Sequence, residues 1–272
     1  MSRALPLRVE AVRQFRRRRT LVAFGLLLAL PWILILAFQF GGEGDAPDGR
    51  ISLVDVATTG GLNFALFSLF VATGFLLVVA VALFCGDTVA SEAGWSSLRY
   101  LLAAPVPRDR LLRQKLIVAL GYAAAAVLTL PVMALLAGTL VFGWTDVTIP
   151  TGGTFPAEAA FGRMAIIAGY ALVSQLVVAA VAFLLSVSTD SPLGAVGGAV
   201  GMVIICNILD AVEALGSWRD VLPTRYMYAW MDALQPEIQW TGMAKGAALS
   251  VSYALILFAL AFRRFRAKDI TS

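Results

Sequence analysis

Six apolar stretches, near residues 20–40, 62–85, 116–143, 164–187, 191–209 and 246–262, are each long enough to cross a bilayer as a helix. A helix rises about 1.5 Å per residue, so roughly 20 residues traverse a hydrocarbon core of about 30 Å. Inside hydrocarbon a backbone must satisfy its own hydrogen bonds, which leaves helices or a closed barrel. Barrel strands need only about ten residues of alternating polarity. The runs here are continuous and bounded by charge, so they predict an all-α integral membrane protein with six transmembrane helices. Charged residues make up only 14% of the chain and hydrophobic ones 60%, whereas soluble domains carry about 25% charged residues. The connections are too short for a second globular domain. Residues 1–272 therefore read as a single transmembrane domain.

Six spans put both termini on one side. The two tails and the even-numbered connections hold sixteen of the 21 lysines and arginines, and the other side holds Arg50, Arg163, Arg219, Arg225 and Lys245. Basic residues accumulate on the cytoplasmic face of membrane proteins, so both termini are expected in the cytoplasm. The net charge of +4 then divides into about +10 inside and −6 outside. This polarity suits attraction to an anionic inner leaflet and does not indicate nucleic-acid binding.

Before the first span, residues 1–19 predict a cytoplasmic interfacial helix. Leu5, Val9 and Val12 share one helical face, with Phe15 at its edge. Glu10, Gln14, Arg17 and Arg18 lie opposite, and Arg16 interrupts the apolar face. Such a helix lies along the inner leaflet. The following apolar run is longer than a signal-peptide core and no small-x-small cleavage site follows it, which argues against a cleaved signal.

The chain has no histidine. That removes His-ligated metal sites, Ser-His and Cys-His catalysis and histidine proton relays. The two cysteines, Cys85 and Cys206, sit at different expected depths and read as apolar packing, with Cys85 ending the second span. No acidic or basic residue falls in the middle of a span. Ion-coupled transporters usually keep such a group, and no internal repeat supports a secondary transporter. An intramembrane aspartyl protease would need two acids within spans, and Asp87 and Asp210 lie at opposite edges. No catalytic residue and no cofactor are expected on this chain.

Polar residues within the spans are few: Asn63, Ser68, Thr73, Thr129, Ser174, Gln175, Asn207 and Ser250. They read first as interhelical hydrogen-bond partners and second as the lining of a path. Pro31 and Pro131 should kink the first and third spans. In the fifth span Gly194 with Gly198, and Gly197 with Gly201, form two overlapping small-xxx-small pairs, which permit close helix packing within the chain or against a second subunit. The segment Asp210–Met243 carries Trp218, Trp230, Trp240, Tyr226 and Tyr228. It predicts one or two short outer helices at headgroup level.

The most informative connection lies between spans two and three: "DTVASEAGWSSLRYLLAAPVPRDRLLRQK", Asp87 to Lys115. Taken as a helix from Glu92 to Ala104, it aligns Trp95, Leu98 and Leu102 as one apolar stripe. Pro105 and Pro107 end it. Such a helix could rest on lipid or dock into a groove of a cytoplasmic partner. The residues Glu92, Leu98, Arg99, Tyr100, Leu101, Leu102, Pro105, Arg108 and Lys115 resemble the signature of permeases of the bacterial ATP-binding-cassette type-2 exporter family. Ser96 and Ser97 depart from the Gly-Thr commonest there. With the six spans, the N-terminal helix and the aromatic outer segment, the resemblance extends over nearly the whole chain.

That resemblance implies a membrane-spanning permease subunit of an ATP-driven exporter in the bacterial inner membrane. It implies a coupling helix whose contact residues are Glu92, Trp95, Leu98, Arg99, Leu101, Leu102, Pro105 and Arg108. Two copies of a cytoplasmic ATPase, carrying ATP and Mg, and a second permease subunit, identical or paralogous, are the implied partners beside membrane lipid. A path lined by spans two and five would make Asn63, Phe67, Phe70, Met202 and Asn207 candidate lining residues. It would also bring Gly194, Gly197, Gly198 and Gly201 near the subunit interface. The chain has no phosphate-binding G-x-x-x-x-G-K-[ST] loop, because Lys115, Lys245 and Lys268 follow Gln114, Ala244 and Ala267. The alternatives are a structural membrane subunit of a larger complex or a secondary transporter.

Overall fold

The computed structural model describes residues 7–40, 53–94, 107–148 and 153–267. It begins with a short helix α1 (Leu7–Phe15), followed by α2 (Arg18–Phe40), α3 (Leu53–Thr58), α4 (Gly61–Thr73), α5 (Leu76–Gly94) and α6 (Arg108–Phe142). A small antiparallel hairpin of β1 (Val147–Thr148) and β2 (Thr154–Phe155) follows, with Val147 opposite Phe155. The chain continues through α7 (Ala157–Ser174), α8 (Leu176–Ser188) and α9 (Pro192–Ala211). Two 3-10 segments, Glu213–Val221 and Ala229–Leu234, then lead to α10 (Trp240–Ala267).

Five stretches are long and apolar enough to cross a membrane: Arg18–Phe40, Arg108–Phe142, Ala157–Ser188, Pro192–Ala211 and Trp240–Ala267. Helices α4 and α5 pass the same test only together, and they are bent by 57°. The chain is thus a helical, multi-pass membrane protein. On α2 the residues Thr20, Ala23, Leu27, Pro31 and Ile35 recur every three or four positions and are buried, while Leu21, Val22, Ile33 and Leu36 face outward. An apolar outer face of this extent suits lipid as solvent.

Between helices in lipid there is little hydrophobic drive, so small residues that allow close contact carry much of the packing. The buried stripe of α6 includes Ala119, Ala123, Ala126, Ala134, Ala137 and Gly138. Where α6 crosses α4, two glycines meet. A Cβ on Gly61 would lie 2.6 Å from the Thr139 backbone nitrogen, and one on Gly138 would lie 3.0 Å from Gly61 Cα. The Gly61 N–H donates to the Gly143 carbonyl at 2.9 Å.

The strong bend lies at neither proline. Pro31 and Pro131 both sit inside continuous helices, and the 57° break falls between Thr73 and Leu76. At this bend the Thr73 carbonyl accepts from Gln175 Nε2 at 3.3 Å, where Gln175 separates α7 from α8. Two interrupted helices thus meet side by side, and a side-chain amide satisfies backbone exposed by the break. Ser250 Oγ donates to the Ser174 carbonyl at 3.5 Å nearby. These polar residues serve as interhelical partners, the first of their two expected roles.

The turn from α8 to α9 is short, as expected. Ser191 caps α9 by accepting from the Gly194 N–H at 3.2 Å, and Pro192 occupies the first turn. Helix α5 continues past Cys85, which is buried within it, to Gly94. Two expectations need correction. Glu92 does not begin a separate helix but lies in α5, nearly at its end. Trp230 is not at an exposed headgroup position: it is 2% exposed, whereas Trp218 and Trp240 are exposed.

Candidate functional site

Two places concentrate chemistry, one at each end of α6. From Lys115 to Phe142 that helix alone extends about 40 Å at helical rise. The first place lies where α1, the end of α5 and the start of α6 converge. Helix α1 presents Leu7, Val9, Val12 and Phe15 outward and buries Glu10 and Gln14. Its polar face therefore turns into the protein and its apolar face away, the arrangement of an interfacial helix.

Beneath α1 sits a network of ions. Lys115 Nζ lies 2.6 Å from Glu92 Oε1 and 3.3 Å from Glu10 Oε1. Arg13 pairs with the same Glu92 oxygen and with Glu10 at 2.8 Å. The Glu92 and Lys115 side chains are each 2% exposed. One turn earlier on α5, Asp87 receives Arg17 at 2.6 Å and also Arg19, and Arg17 reaches Ser91 Oγ at 3.2 Å. Tyr122 of α6 donates to the Ala11 carbonyl at 2.7 Å. The start of α6 is tied to the chain's last helix as well. Arg266 pairs with Asp109 at 2.7 Å, and Arg108 donates to the Arg266 carbonyl at 3.3 Å.

Electrostatics follow from this geometry. Burial pushes the Glu10 carboxyl up, but Lys115 and Arg13 outweigh it and hold the group below its ordinary value. Burial likewise pulls Arg13 down, and Glu92 with Glu10 reverses that and raises it. Both groups therefore stay charged at neutral pH. The network is a clamp that fixes α1 against both helices flanking the 95–106 connection.

The second place is a half-open cavity of about 370 Å³ at the far end, among α3, α4, β1 and the Ala229–Leu234 segment. Asn63, Phe67 and Phe70 of α4 line it, opposite Trp230 and Met231. Successive positions 63, 67 and 70 share one helical face, which is why α4 offers all three together. Both polar atoms of the Asn63 amide are bonded. Its Nδ2 donates to the Thr148 carbonyl at 2.8 Å and its Oδ1 accepts the Thr148 N–H at 3.2 Å. The amide thus pins the β hairpin over the cavity. Among the described residues, no Asp, Glu, Lys or Arg lines it.

Three of the five expected lining residues thus meet in one cavity. Met202 and Asn207 do not join them. They lie on α9, where Met202 contacts Cys206 and Asn207 Oδ1 accepts from Thr224 Oγ1 at 3.2 Å. Of the expected coupling residues, Glu92 lies in the clamp, and Arg108 at the start of α6 donates to the Arg266 carbonyl. Trp95, Leu98, Arg99, Leu101, Leu102 and Pro105 lie outside the described residues.

The glycines of α9 split. A Cβ on Gly198 would meet the Leu185 side chain at 2.7 Å, one on Gly194 would touch only Ser191 and Thr189 near its own helix start, and Gly197 and Gly201 have open space around them. The inward stripe of α9 is instead Ala195, Ala199, Val203 and Cys206.

Sequence reasoning missed Glu10, Arg13 and Asp87 as clamp members and Trp230 as cavity wall. Glu10 and Gln14 opposed the apolar face of the N-terminal helix, but the polar face of an interfacial helix ordinarily meets headgroups and water, so that pattern alone did not point to a protein partner.

Residues 26–271 match the model of a family described as a protein of unknown function (DUF2705). The chain belongs to this family. The match runs from within α2 to beyond α10, so it takes in the cavity and both helices of the clamp other than α1. No curated protein matches the chain.

Proposed function

We propose that this member of the DUF2705 family is the membrane-spanning permease subunit of an ATP-driven exporter of the ATP-binding-cassette type-2 kind. The bent pair α4–α5 then counts as one crossing, which gives six spans, and the basic end that carries the clamp faces the cytoplasm of a bacterial cell. The observation that carries this reading is the bracketing of the signature stretch by buried ions. Glu92 at its start and Lys115 at its end are 2.6 Å apart, with Arg13 of α1 on the same carboxylate. A force applied to residues 95–106 would reach α5, α6 and α1 as one rigid unit, the kind of element through which packed helices transmit a switch. The engine, with its ATP and Mg, resides on two copies of a separate ATPase. The open faces of Gly197 and Gly201 support close approach of a second permease subunit.

The test is purification of the tagged chain from native membranes with its associated ATP hydrolysis measured. The reading expects a P-loop ATPase in the complex and vanadate-sensitive turnover. Leu98→Arg should remove both while leaving the chain inserted and folded. Glu92 is a poor probe of contact, because its replacement would break the clamp itself. A chain that purifies without an ATPase, or turnover unchanged by Leu98→Arg, overturns the proposal. The positive-inside imbalance supports cytoplasmic termini, and cysteine accessibility at the two tails tests that orientation directly.

A further inference from the structure

A second apolar surface lies at the clamp end, on the outside of the bundle. Helices α2 and α5 leave between them a groove of about 300 Å³. Two small, buried residues, Ala23 of α2 and Ala80 of α5, give it depth. Val22 and Leu26 of α2 stand exposed along it, with Val79 and Leu83 of α5 half-buried opposite. From Leu76 to Leu83 the groove follows α5 for about 10 Å, against about 15 Å for one leaflet's share of the hydrocarbon. In a bilayer such a slot is filled by an acyl chain, since an empty one forfeits dispersion contacts along both walls.

Charge decides which lipid. Arg18 and Arg19, both exposed, line the groove where it meets the clamp. Long basic side chains lay their stems on apolar surface and hold their charge at headgroup level. The clamp carboxylates Glu10, Asp87 and Glu92 already serve four cations, Lys115, Arg13, Arg17 and Arg19. Among the described residues, Arg18 makes no ion pair. The segments that adjoin α1, α5 and α6 in sequence, residues 1–6 and 95–106, hold Arg3 and Arg99 and no acid, and residues 268–272 set Asp269 beside Lys268. This end of the protein therefore carries surplus positive charge beside an apolar slot. A zwitterionic lipid would fill the slot and leave the surplus uncompensated. We infer that the groove is a binding site for an anionic glycerophospholipid, with its phosphate on Arg18 and Arg19 and one acyl chain between α2 and α5. The site needs only this chain in a bilayer and holds whether or not an ATPase is its partner.

The experiment uses the full chain in phosphatidylcholine nanodiscs doped with phosphatidylglycerol that carries a photoactivatable diazirine on one acyl chain. Phosphatidylcholine with the same diazirine is the comparator. Ile33 and Leu36, exposed on the other half of α2, serve as the ordinary lipid-facing reference. A basic residue near an anionic headgroup is worth about fivefold in affinity. Labelling of Val22, Leu26, Val79 or Leu83, taken relative to the reference, should therefore favour phosphatidylglycerol at least about fivefold. Arg18→Gln should lower that preference about fivefold, and adding Arg19→Gln should remove what remains. Val79→Phe fills the groove with both arginines in place and should abolish the preference.

Arg19 also serves Asp87, so Arg18→Gln, which breaks none of the clamp's ion pairs, is the deciding variant. Arg8→Gln makes the same change in net charge on α1, outside the groove, and should leave the preference unchanged. Equal labelling by the two probes would mean an ordinary lipid of the annulus. A loss from Arg8→Gln as large as that from Arg18→Gln would mean a diffuse field and no site. No labelling anywhere in the groove would mean that a second copy or the chain's own residues cover it. A preference that survives both Arg18→Gln and Val79→Phe would mean that the lipid is held elsewhere. Each of these outcomes overturns the assignment, and none of them bears on whether an ATPase copurifies.

Discussion

At the clamp charged groups are buried against opposite charges, and at the cavity the wall is apolar. Glu92, Glu10, Lys115, Arg13, Asp87, Arg17 and Arg19 compensate one another across α1, the start of α2, α5 and α6. Across the bundle, the cavity wall is aliphatic and aromatic, and its Asn63 amide bonds the Thr148 backbone. The contrast separates two kinds of structural purpose. Buried ion pairs add little net stability compared with well-packed apolar residues, but breaking one is costly. They fix relative position, here of four helix ends. A cavity does the reverse: it gives up the close packing that a continuous core would have.

The sharpest way to break this comparison is to unbalance the clamp. Lys115→Met takes from Glu92 and Glu10 the lysine they share, while Arg13 stays on both and Glu92 stays buried. Loss of one partner from a buried pair costs about 3–5 kcal/mol, and Arg13 should keep the effect near the lower limit. Thermal unfolding of the purified protein, followed by fluorescence-detected size exclusion, should show a large fall in midpoint. Lys115→Met with Glu92→Gln should recover much of it, since the uncompensated charge is gone. A single variant as stable as the parent would mean that the clamp is decorative.

A smaller effect is expected at the helix crossing that supports the cavity. Gly61→Ala places a Cβ 2.6 Å from backbone of α6, where no side-chain rotation can relieve it. Overpacking of this kind costs typically about 1–3 kcal/mol, read by the same unfolding assay. Smaller again is Asn63→Leu. It removes two hydrogen bonds to Thr148 and should cost about 1–2 kcal/mol. Hydrogen exchange should show its loss confined to 147–155 and the cavity mouth, with α1 unaffected. Spread of either effect to the clamp would mean that the two ends are not separable units.

Much of the architecture was legible because hydrophobic length is a strong signal. The limits of α2, α9 and α10 follow runs bounded by arginine, proline or aromatic residues. The bend between Thr73 and Leu76 went unread: Gly74 sits there and closes α4, but a single glycine within an apolar run is common in membrane helices and does not by itself mark a break. What decides it is tertiary: Gln175 on another helix offers its amide to the Thr73 carbonyl. At the cavity, the grouping of Asn63, Phe67 and Phe70 follows from helical periodicity within one element. Trp230 arrives from 160 residues later along the chain, a pairing that no local pattern encodes. An aromatic residue near a predicted interface reads as a headgroup anchor unless the fold shows it turned inward. The clamp was half legible. Opposite charges at Glu92 and Lys115 were visible, but the path of α1 across them was not.

Acid offers the finest probe, because the two ends should answer it in opposite senses. Glu10 is held below its ordinary value: burial raises it, but Lys115 and Arg13 outweigh burial. A carboxylate lowered in the folded state contributes stability above its unfolded value, and that contribution disappears as pH falls through the lowered folded value. Protection of α1 should therefore persist through the ordinary carboxylate range and fail only below it. Asp232, in the segment beside the cavity, is shifted upward by burial. A carboxyl raised in the folded state takes up its proton more readily there than when unfolded, so falling pH strengthens that end until both states are protonated. Hydrogen exchange corrected for its intrinsic pH dependence can follow 7–15 and 229–234 in one titration. The far segment should tighten modestly as pH drops towards the ordinary range while α1 stays unchanged, and α1 should loosen only with further acid. Glu10→Gln should remove the acid-dependent step at α1, and Asp232→Asn should remove the tightening at the far end. Loosening of α1 above the ordinary carboxylate range would show that the ions beneath it do not hold Glu10 as a paired carboxylate, and the clamp would lose its claim to rigidity.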